Sequence, residues 1–488
     1  LLSIEGTARA LRAFLGIEKG LKRYSLSQPG VDIRVDRSVL PIRGSIECLD
    51  VKGVSLDGDM LKGLMEMQED LHWALGRDRK KVAIGVHDAS SIVPPYLYKT
   101  AGPEEISFIP LGMSGEISLK EILERHPKGV EYAHIIDRFD RYPIILDSKG
   151  DVLSMPPIIN GELTKVTEDT KELFVEMTGT EERAVSKAMN ILASAFAEQE
   201  WKLFKVNVKY PKRVVRTPDL EPQKRTLSID YTNSMLGLNL SADIIKYCLE
   251  RMGFSVEVTG NNLVVFVPAY RADILHDIDI VEDVAIGYGY EKFDPELPAL
   301  ATTASTLPEN AISHKARAAM VGLGFTEAVT LMLTNEEVNN QRMGIAEEAV
   351  KVKNPISEEH TIVRTHLIPS LLEVLYINRH RELPQRIFEV GDVLKLDPKF
   401  ETGARKEKRL CACIIHSKAN FSEGRAVFNT ILRDLDIKGK IKPVKHPSFI
   451  PGRCAGVDGA GYFGELHPKV ITSFDLEYPV VALEMVIK

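Results

Sequence analysis

The sequence predicts a multidomain α+β protein, and three observations support this fold class. The chain has 488 residues, enough for two to four domains that each bury their own core. Patterns typical of helices and of strands are mixed in every region of the chain. A stretch rich in proline and charge at residues 211–220 indicates a linker. We therefore predict domains at residues 1–215, 216–300 and 301–488.

The composition excludes several classes of protein. Hydrophobic residues make up 44% of the chain and charged residues 27%, which is ordinary for a globular protein. The net charge is −7, so contact with a nucleic acid would need a local basic patch or a partner chain. The five cysteines include no Cys-x-x-Cys pair, which argues against a disulfide framework and a zinc site. Without a long apolar run or a signal peptide, we expect a cytoplasmic protein with no membrane span.

The first region is expected to mix helices and strands. The predicted elements are a helix at 4–15, strands at 31–35 and 44–49, a helix at 57–75, a strand at 81–86, a helix at 118–125, a strand at 131–136, a helix at 181–198 and a strand at 202–208. His72 and His87 fall within or beside these elements. Their surroundings favour structural roles, with His72 on the surface of its helix.

A basic run, RDRKK at residues 77–81, lies just before a predicted strand. Two interpretations are open for this run. It is either a solvated helix end, where cations favour the negative end of the helix dipole, or a contact for nucleic-acid phosphates.

Residues 142–180 are the most informative stretch of the first region. Residues 142–147 and 152–155 are β-rich runs separated by a turn, and together they predict a hairpin. Pro156 and Pro157 end the second run because neither can donate to a strand ladder.

The strand predicted at residues 172–178 has two different faces, because side chains alternate along a strand. One face carries only apolar residues, namely Leu173, Val175 and Met177. The other carries Phe174, Glu176 and Thr178. A half-solvated strand gives such a pattern, and so does a strand that lines a pocket.

The strings YPIILDSKGDVLSMPPIING and FVEMTGT resemble the editing domain of the phenylalanyl-tRNA synthetase β subunit, in its archaeal and eukaryotic form. Further blocks similar to this family follow in the same order, so the resemblance covers essentially the whole chain. It implies that the first region is an editing domain of the B3/B4 type. It also implies that the remnant of an N-terminal segment precedes this domain. We therefore expect that residues before Leu1 are missing or disordered.

The resemblance also implies the residues of the editing site. Ser154, Glu176 and Thr178 would be catalytic. Glu176 would accept the phenol hydroxyl of a tyrosyl group, and Ser154 and Thr178 would orient the ester for attack by a positioned water, with assistance from a hydroxyl of the tRNA. The side chains that would bind the substrate are His134, Ile145 and Asn160.

The second region is predicted to contain a helix at 241–252, a hairpin around residues 254–267 and a helix at 274–287. This order of elements suggests a small winged-helix-like unit, and it resembles the family's B5 domain. Four carboxylates lie at its second helix, namely Asp273, Asp279, Glu282 and Asp283. The last three share one helix face. They could hold Mg²⁺, which prefers oxygen ligands, or they could form an acidic first turn favoured by the helix dipole. In the family such an ion is structural.

The third region resembles the class II synthetase-like module of the β subunit, with an antiparallel sheet. RIFEVGDVL and GYFGELHP occupy the places of two of its strands. An active class II site uses arginines to hold the ATP phosphates, but no arginine follows residues 459–464. The module is therefore expected to lack the active-site motifs.

The resemblance implies a phenylalanine–tRNA ligase in which an α subunit carries out ATP-dependent charging of tRNA(Phe). The β chain would support that reaction in an α2β2 heterotetramer and would hydrolyse tyrosyl-tRNA(Phe). Neither a membrane nor DNA is an expected partner. The alternative is a non-enzymatic scaffold that binds tRNA and assembles the complex, with a vestigial pocket.

Overall fold

A mixed sheet of ten strands forms the centre of the first unit of the chain. The structure is a computed structural model that describes residues 3–487, and its two units divide between Leu297 and Pro298. The strands of this sheet, with the separate pair β5 and β6, are β1 Ser27–Val35, β2 Ser45–Lys52, β3 Val82–Asp88, β4 Tyr96–Ala101, β5 Ser107–Phe108, β6 Ile117–Ser118, β7 Tyr142–Leu146, β8 Val152–Met155, β9 Ile159–Asn160, β10 Glu172–Gly179, β11 Lys202–Lys209 and β12 Val214–Thr217.

The strand order is β3-β10-β2-β11-β1-β4-β7-β8-β9, with β12 added beside β11. Strand β1 runs parallel to β11 and β4, whereas the other pairs are antiparallel, so the mixed sheet of the prediction is confirmed. The predicted hairpin is β7–β8. The expectation of missing chain before Leu1 lies outside the described residues.

Six helices accompany this sheet: α1 Ile4–Phe14, α2 Leu40–Arg43, α3 Gly58–Trp73, α4 Leu119–Arg125, α5 Pro127–Tyr132 and α6 Glu182–Glu198. Helix α6 packs on one face of the sheet, where it meets Leu173, Val175 and Met177 of β10. Phe174 lies in a different core cluster. The alternation predicted for β10 is therefore confirmed.

The strand predicted at residues 131–136 is wrong. This segment contains the end of α5 and a 3₁₀ turn at Ala133–Ile135. Pro127 occupies the first turn of α5, and the His126 side chain accepts the backbone N–H of Lys128. A proline at this position is preorganised for a helix, and here it outweighs the local β-like pattern.

A smaller domain completes the first unit. It contains β13 Gln223–Ser228, α7 Ile229–Leu236, α8 Ala242–Arg251, β14 Ser255–Thr259, β15 Asn262–Val267 and α9 Asp277–Tyr288. The strand order is β13-β15-β14, and the predicted order of helix, hairpin and helix is confirmed.

The second unit is built on a seven-stranded sheet in the order β16-β19-β20-β24-β23-β22-β21. Its elements, including the separate pair β17 and β18, are α10 Pro308–Gly322, β16 Thr326–Glu327, β17 Leu333–Thr334, β18 Ile362–Val363, α11 Ile368–Ile377, β19 Gln385–Leu396, β20 Ala404–Ile415, α12 Phe421–Asp434, β21 Lys442–Pro443, β22 Phe449–Val457, β23 Gly461–Leu466, α13 Pro468–Ser473 and β24 Val480–Val486. Apart from the parallel pair of β16 and β19, neighbouring strands are antiparallel, as predicted.

Alternate residues of β20 enter two different cores of the second unit. Leu410 and Ala412 pack with α10 and α12, whereas Cys411 and Cys413 pack with α11. The five cysteines are all buried free thiols. Within residues 3–487, the helices are too short or too polar to cross a membrane.

Candidate functional site

A cavity of about 400 Å³ lies between α3, strand β3 and the loop that follows β8. We call it the Pro-Pro pocket, after Pro156 and Pro157 in its wall. Its walls are mainly apolar. Its principal polar lining residues are Glu69, His72, Arg79, Ser154, Asn160 and Glu176. The pocket thus combines an apolar cavity with a few converging polar groups, as binding sites for small ligands do.

Glu176 places a carboxylate at the wall of this pocket. It lies in the middle of β10 and is only 2% exposed. The Ser154 hydroxyl, from strand β8 of the β7–β8 hairpin, donates to Glu176 Oε1 at 3.0 Å. Oε2 is buried and has no hydrogen-bond partner among the described residues. A buried acceptor without a partner costs free energy, and a ligand that donates a hydrogen bond would recover it.

Gly85 makes room for the Glu176 carboxylate. The two residues are paired across β3 and β10, so their side-chain directions fall on the same face. A Cβ built on Gly85 would lie 2.4 Å from Glu176 Oε1 and 2.7 Å from His87 Nε2. A larger residue at position 85 would therefore displace the carboxylate.

His87 lies beside Glu176, and its neighbourhood was not apparent from the sequence. Its Nδ1 is 2.8 Å from Thr164 Oγ1, and the Thr164 hydroxyl donates to Gly161 O. His87 Nε2 is 3.9 Å from Glu176 Oε1, too far for a hydrogen bond. The structural role expected for His87 agrees with its bond to Thr164, although the ring also borders the site.

Thr178 shares a face of β10 with Glu176 but does not line the Pro-Pro pocket. Its Oγ1 accepts a hydrogen bond from Arg43 Nε at 3.0 Å, and its backbone oxygen accepts from Arg43 Nη2 at 2.9 Å. Burial lowers the pKa of Arg43 to about 10. Of the three predicted catalytic residues, the structure brings Ser154 and Glu176 together in the pocket wall and places Thr178 outside the pocket lining.

The three predicted substrate-binding residues occupy different surroundings. Asn160 lines the pocket, and its Nδ2 donates to Val86 O at 3.3 Å. Ile145 pairs with Ser154 across the hairpin and is fully buried in the core. His134 lies on an exposed turn with its Nδ1 near Glu131 O. The geometry therefore supports direct contact with a ligand for Asn160 and does not for Ile145 and His134.

Helix α3 covers the free edge of β3 through two side chains one turn apart. Gln68 Nε2 donates to Ile84 O, and Ile84 N donates to His72 Nε2, both at 2.8 Å. His72 is 3% exposed, whereas Trp73 is 77% exposed. The expectation that His72 lies on the helix surface is thus wrong, because the strand edge needs an acceptor that the sequence pattern does not reveal.

The basic run at residues 77–81 follows α3 and contains both buried and exposed basic side chains. Arg77, Asp78 and Arg79 all have left-handed backbone conformations, with φ of 48°, 57° and 62°. Arg79 is buried, and it donates to Ile158 O at 3.0 Å and to Glu69 Oε1 at 2.8 Å. It therefore ties α3 to the loop after β8. Arg77 and Lys80 are exposed, so contact with nucleic-acid phosphates stays a prediction for these two.

Of the four carboxylates predicted to bind Mg²⁺, three already have hydrogen-bond partners within the protein and the fourth lies away from them. Arg271 donates to Asp273 at 2.6 Å and to Asp283 at 2.7 Å. Asp279 accepts the backbone N–H groups of Leu275 and His276, which lower its pKa and cap α9.

Glu282 is exposed on the solvent side of α9. Within residues 3–487, no group of three or more His, Cys, Asp or Glu side chains is placed to hold a metal. The four residues as arranged do not fit a Mg²⁺ site, and no step below passes through the ion. Magnesium binding at this cluster stays a prediction.

Comparison with known proteins identifies the family. Three family models match consecutive parts of the chain: the B3/4 domain at residues 71–200, the tRNA synthetase B5 domain at 225–290, and the phenylalanyl tRNA synthetase beta chain CLM domain at 294–487. The phenylalanine–tRNA ligase β subunit of Archaeoglobus fulgidus is 47% identical over an alignment of 493 positions, which covers 99% of this chain and 88% of that protein. The chain belongs to the phenylalanine–tRNA ligase β-subunit family.

Other members of the family support the same assignment. The β subunit of Methanocaldococcus jannaschii is 44% identical over an alignment of 496 positions, which covers 100% of this chain and 89% of that protein. A crystal structure of an N-terminal fragment of the phenylalanyl-tRNA synthetase β subunit from Pyrococcus horikoshii is 42% identical. It covers 59% of this chain and 83% of the fragment, with a TM-score of 0.58. The resemblance drawn from residues 142–180 is confirmed, whereas the predicted domain bounds stay predictions.

Proposed function

We propose that this chain is the β subunit of a heteromeric phenylalanine–tRNA ligase and that its Pro-Pro pocket hydrolyses tyrosyl-tRNA(Phe). One observation carries the editing proposal: Glu176 Oε2, at the wall of the pocket, is a buried acceptor to which no group within residues 3–487 donates a hydrogen bond. The phenol hydroxyl of a tyrosyl group is a donor that would satisfy it.

The chemistry of the two amino acids explains why such a pocket is needed. Tyrosine differs from phenylalanine only by one hydroxyl, and a hydrophobic site rejects an analogue with an added hydroxyl by only about a hundredfold. A second site must therefore select for that hydroxyl. Phenylalanine in the Pro-Pro pocket would leave the Glu176 oxygen unpaired, at a cost of roughly 1–3 kcal/mol or more. This penalty protects the correct product from hydrolysis.

Ser154 has a supporting part in this proposal. Its hydroxyl donates to Glu176 Oε1, so it orients the carboxylate and leaves Oε2 to the substrate. The nucleophile is a positioned water. Thr178 acts indirectly, because its hydroxyl oxygen already accepts a hydrogen bond from Arg43.

The ligase reaction itself is assigned to a partner. Residues 465–488 contain no arginine to follow the glycine-rich strand β23 and hold ATP phosphates, as an active class II site requires. We therefore place phenylalanine activation on an α subunit in an α2β2 enzyme that binds tRNA(Phe). The chain alone should show no phenylalanine-dependent ATP–pyrophosphate exchange. Robust exchange by the purified chain would contradict this assignment.

The deciding experiment measures the release of tyrosine from tyrosyl-tRNA(Phe) by the assembled enzyme. Glu176→Ala should slow this release by roughly 10- to 150-fold, because it removes one charge-assisted hydrogen bond worth about 1.5–3 kcal/mol. It should also reduce the difference between the hydrolysis rates of tyrosyl- and phenylalanyl-tRNA(Phe). The rate of phenylalanine activation should stay unchanged. Glu172→Ala, at the half-exposed start of the same strand, is the matched control. Equal hydrolysis by Glu176→Ala and wild type would favour the alternative of a scaffold with a vestigial pocket.

A further inference from the structure

His72 is a second buried polar group of the Pro-Pro pocket whose hydrogen-bonding capacity is incompletely used. Its ring is 3% exposed and lines the pocket. Nδ1 is buried and makes no hydrogen bond to the described residues. Buried polar atoms without partners are uncommon in folded proteins, and each requires an explanation.

The tautomer of His72 follows from its contact with β3. Ile84 N donates to His72 Nε2 at 2.8 Å, so Nε2 presents a lone pair and carries no proton. In a neutral imidazole the proton must then lie on Nδ1. If Nε2 were protonated as well, its N–H group would face the N–H group of Ile84, and the hydrogen bond between them would be lost. Burial is the main cause that lowers the pKa of His72; Glu69 opposes this shift, and the nearby Arg79 and Arg43 add to it. His72 is therefore a neutral donor with a fixed direction.

Among the residues that the structure describes, none accepts this proton within hydrogen-bond distance. Glu69 Oε1 lies 3.6 Å from Nδ1, longer than a hydrogen bond. The same Glu69 oxygen is 2.8 Å from Arg79 Nη2. The Nδ1–H group of this pocket-lining residue is thus not committed to a hydrogen bond within residues 3–487.

His72 and Glu176 line the same pocket from two different elements, α3 and β10. The Glu176 carboxylate lies over Gly85, and His72 bonds Ile84, the preceding residue of the same strand, from its outer edge. Glu176 offers an acceptor and His72 a donor. A tyrosyl ester has a donor in its phenol hydroxyl and an acceptor in its ester carbonyl, at opposite ends of the group.

We propose that His72 Nδ1–H donates to the carbonyl oxygen of the aminoacyl ester, so that His72 is a catalytic residue of the hydrolysis; this inference rests on the proposed editing function. In the reaction, the oxygen of a water molecule bonds to the ester carbonyl carbon, and negative charge develops on the carbonyl oxygen. The bond from that carbon to the ribose oxygen then breaks, and the ribose oxygen receives a proton that originates from the attacking water. The products are tyrosine and tRNA(Phe). A preorganised donor aimed at the carbonyl oxygen stabilises that charge where it develops.

Two substitutions separate this role from the support that His72 gives to β3. His72→Gln places an amide oxygen where Nε2 was, so the bond from Ile84 N is kept while the donor at the Nδ1 position is removed. His72→Asn does the opposite, since its amide N–H group lies near the Nδ1 position and the acceptor for Ile84 N is lost. The readouts are kcat and KM for tyrosyl-tRNA(Phe) hydrolysis by the assembled enzyme, with Tm and phenylalanine activation as measures of integrity.

We expect His72→Gln to keep its Tm and to lower kcat by roughly 10²-fold, as the loss of one oxyanion donor does. His72→Asn should have the lower Tm and the higher kcat of the two variants. If His72 serves only the strand edge, or donates only to a trapped water, His72→Gln will hydrolyse as fast as wild type, and the inference is overturned while the proposed function stands. A wild-type enzyme that leaves tyrosyl-tRNA(Phe) intact would overturn both.

Discussion

Gly85 lies directly opposite Glu176 across β3 and β10, and a Cβ on Gly85 would approach Glu176 Oε1 to 2.4 Å. The absence of a side chain at Gly85 therefore leaves space for a carboxylate on another strand, and it is not needed to form a turn. The distance between the two positions in sequence is large, but in the sheet they are neighbours. Through this contact, the geometry of the pocket depends on a residue without a side chain.

We expect Gly85→Ala to displace the Glu176 carboxylate and to break its hydrogen bond with Ser154. Overpacking of this kind costs about 1–3 kcal/mol of stability, and hydrolysis of tyrosyl-tRNA(Phe) should fall with it. Stability is checked by denaturant unfolding and editing by deacylation. Gly30→Ala is the control, because Gly30 lies in β1 of the same sheet with open space around its Cβ position. If both alanine variants edit like wild type, the close approach does not constrain the carboxylate.

The prediction from sequence succeeded where the deciding contacts are local. The alternation at residues 172–178 assigned Glu176 and Thr178 to one face because a strand repeats every two residues. Ser154 came from the family resemblance, and the structure places it beside Glu176.

Long-range contacts account for what the sequence did not reveal. Thr178 is bound by Arg43, which lies 135 positions away, and no local pattern connects the two. His72 is buried because the edge of β3 needs an acceptor for Ile84 N. One available signal was the spacing of Gln68 and His72, which are four residues apart and hence on one face of α3.

The acidic cluster of α9 is a further case in which the sequence did not reveal a contact with a residue outside the local pattern. The helical spacing of Asp279, Glu282 and Asp283 is as predicted, yet their environments differ. Asp283 is buried against Arg271, Glu282 is exposed, and Asp279 turns back to cap the helix. Arg271 lies outside the helix, so the periodicity of the carboxylates contains no information about it.

We expect Asp279→Asn to lower Tm by the same amount with and without Mg²⁺, because Asp279 caps α9 with two backbone hydrogen bonds. The measurement is thermal unfolding of the assembled enzyme over a series of Mg²⁺ concentrations. Asp243→Asn, in the first turn of α8, is the matched control for the loss of a charge near a helix N-terminus. A Mg²⁺-dependent rise in the Tm of wild type that disappears only in Asp279→Asn, together with weaker subunit association, would instead support the predicted metal site.

Glu47 provides a prediction about pH that is independent of the editing pocket. It lies in β2, and burial, with smaller effects from Glu182 and Asp219, raises its pKa to about 7. Its carboxyl group is therefore protonated in the folded chain at a pH where the unfolded chain has already released the proton.

Since the folded state then binds more protons, the stabilising effect of Glu47 is complete below its unfolded pKa of about 4.3 and is lost as pH rises through 7. A shift of this size corresponds to roughly 4 kcal/mol. Glu47→Gln stays neutral at every pH, so its free energy of unfolding relative to wild type should rise between pH 4.5 and 7 and level off above that. Urea unfolding from pH 4.5 to 8.5 measures this difference, with Glu172→Gln as the control on a half-exposed strand glutamate. A constant difference between Glu47→Gln and wild type over the whole range would show that the Glu47 carboxyl has an ordinary pKa in the folded chain.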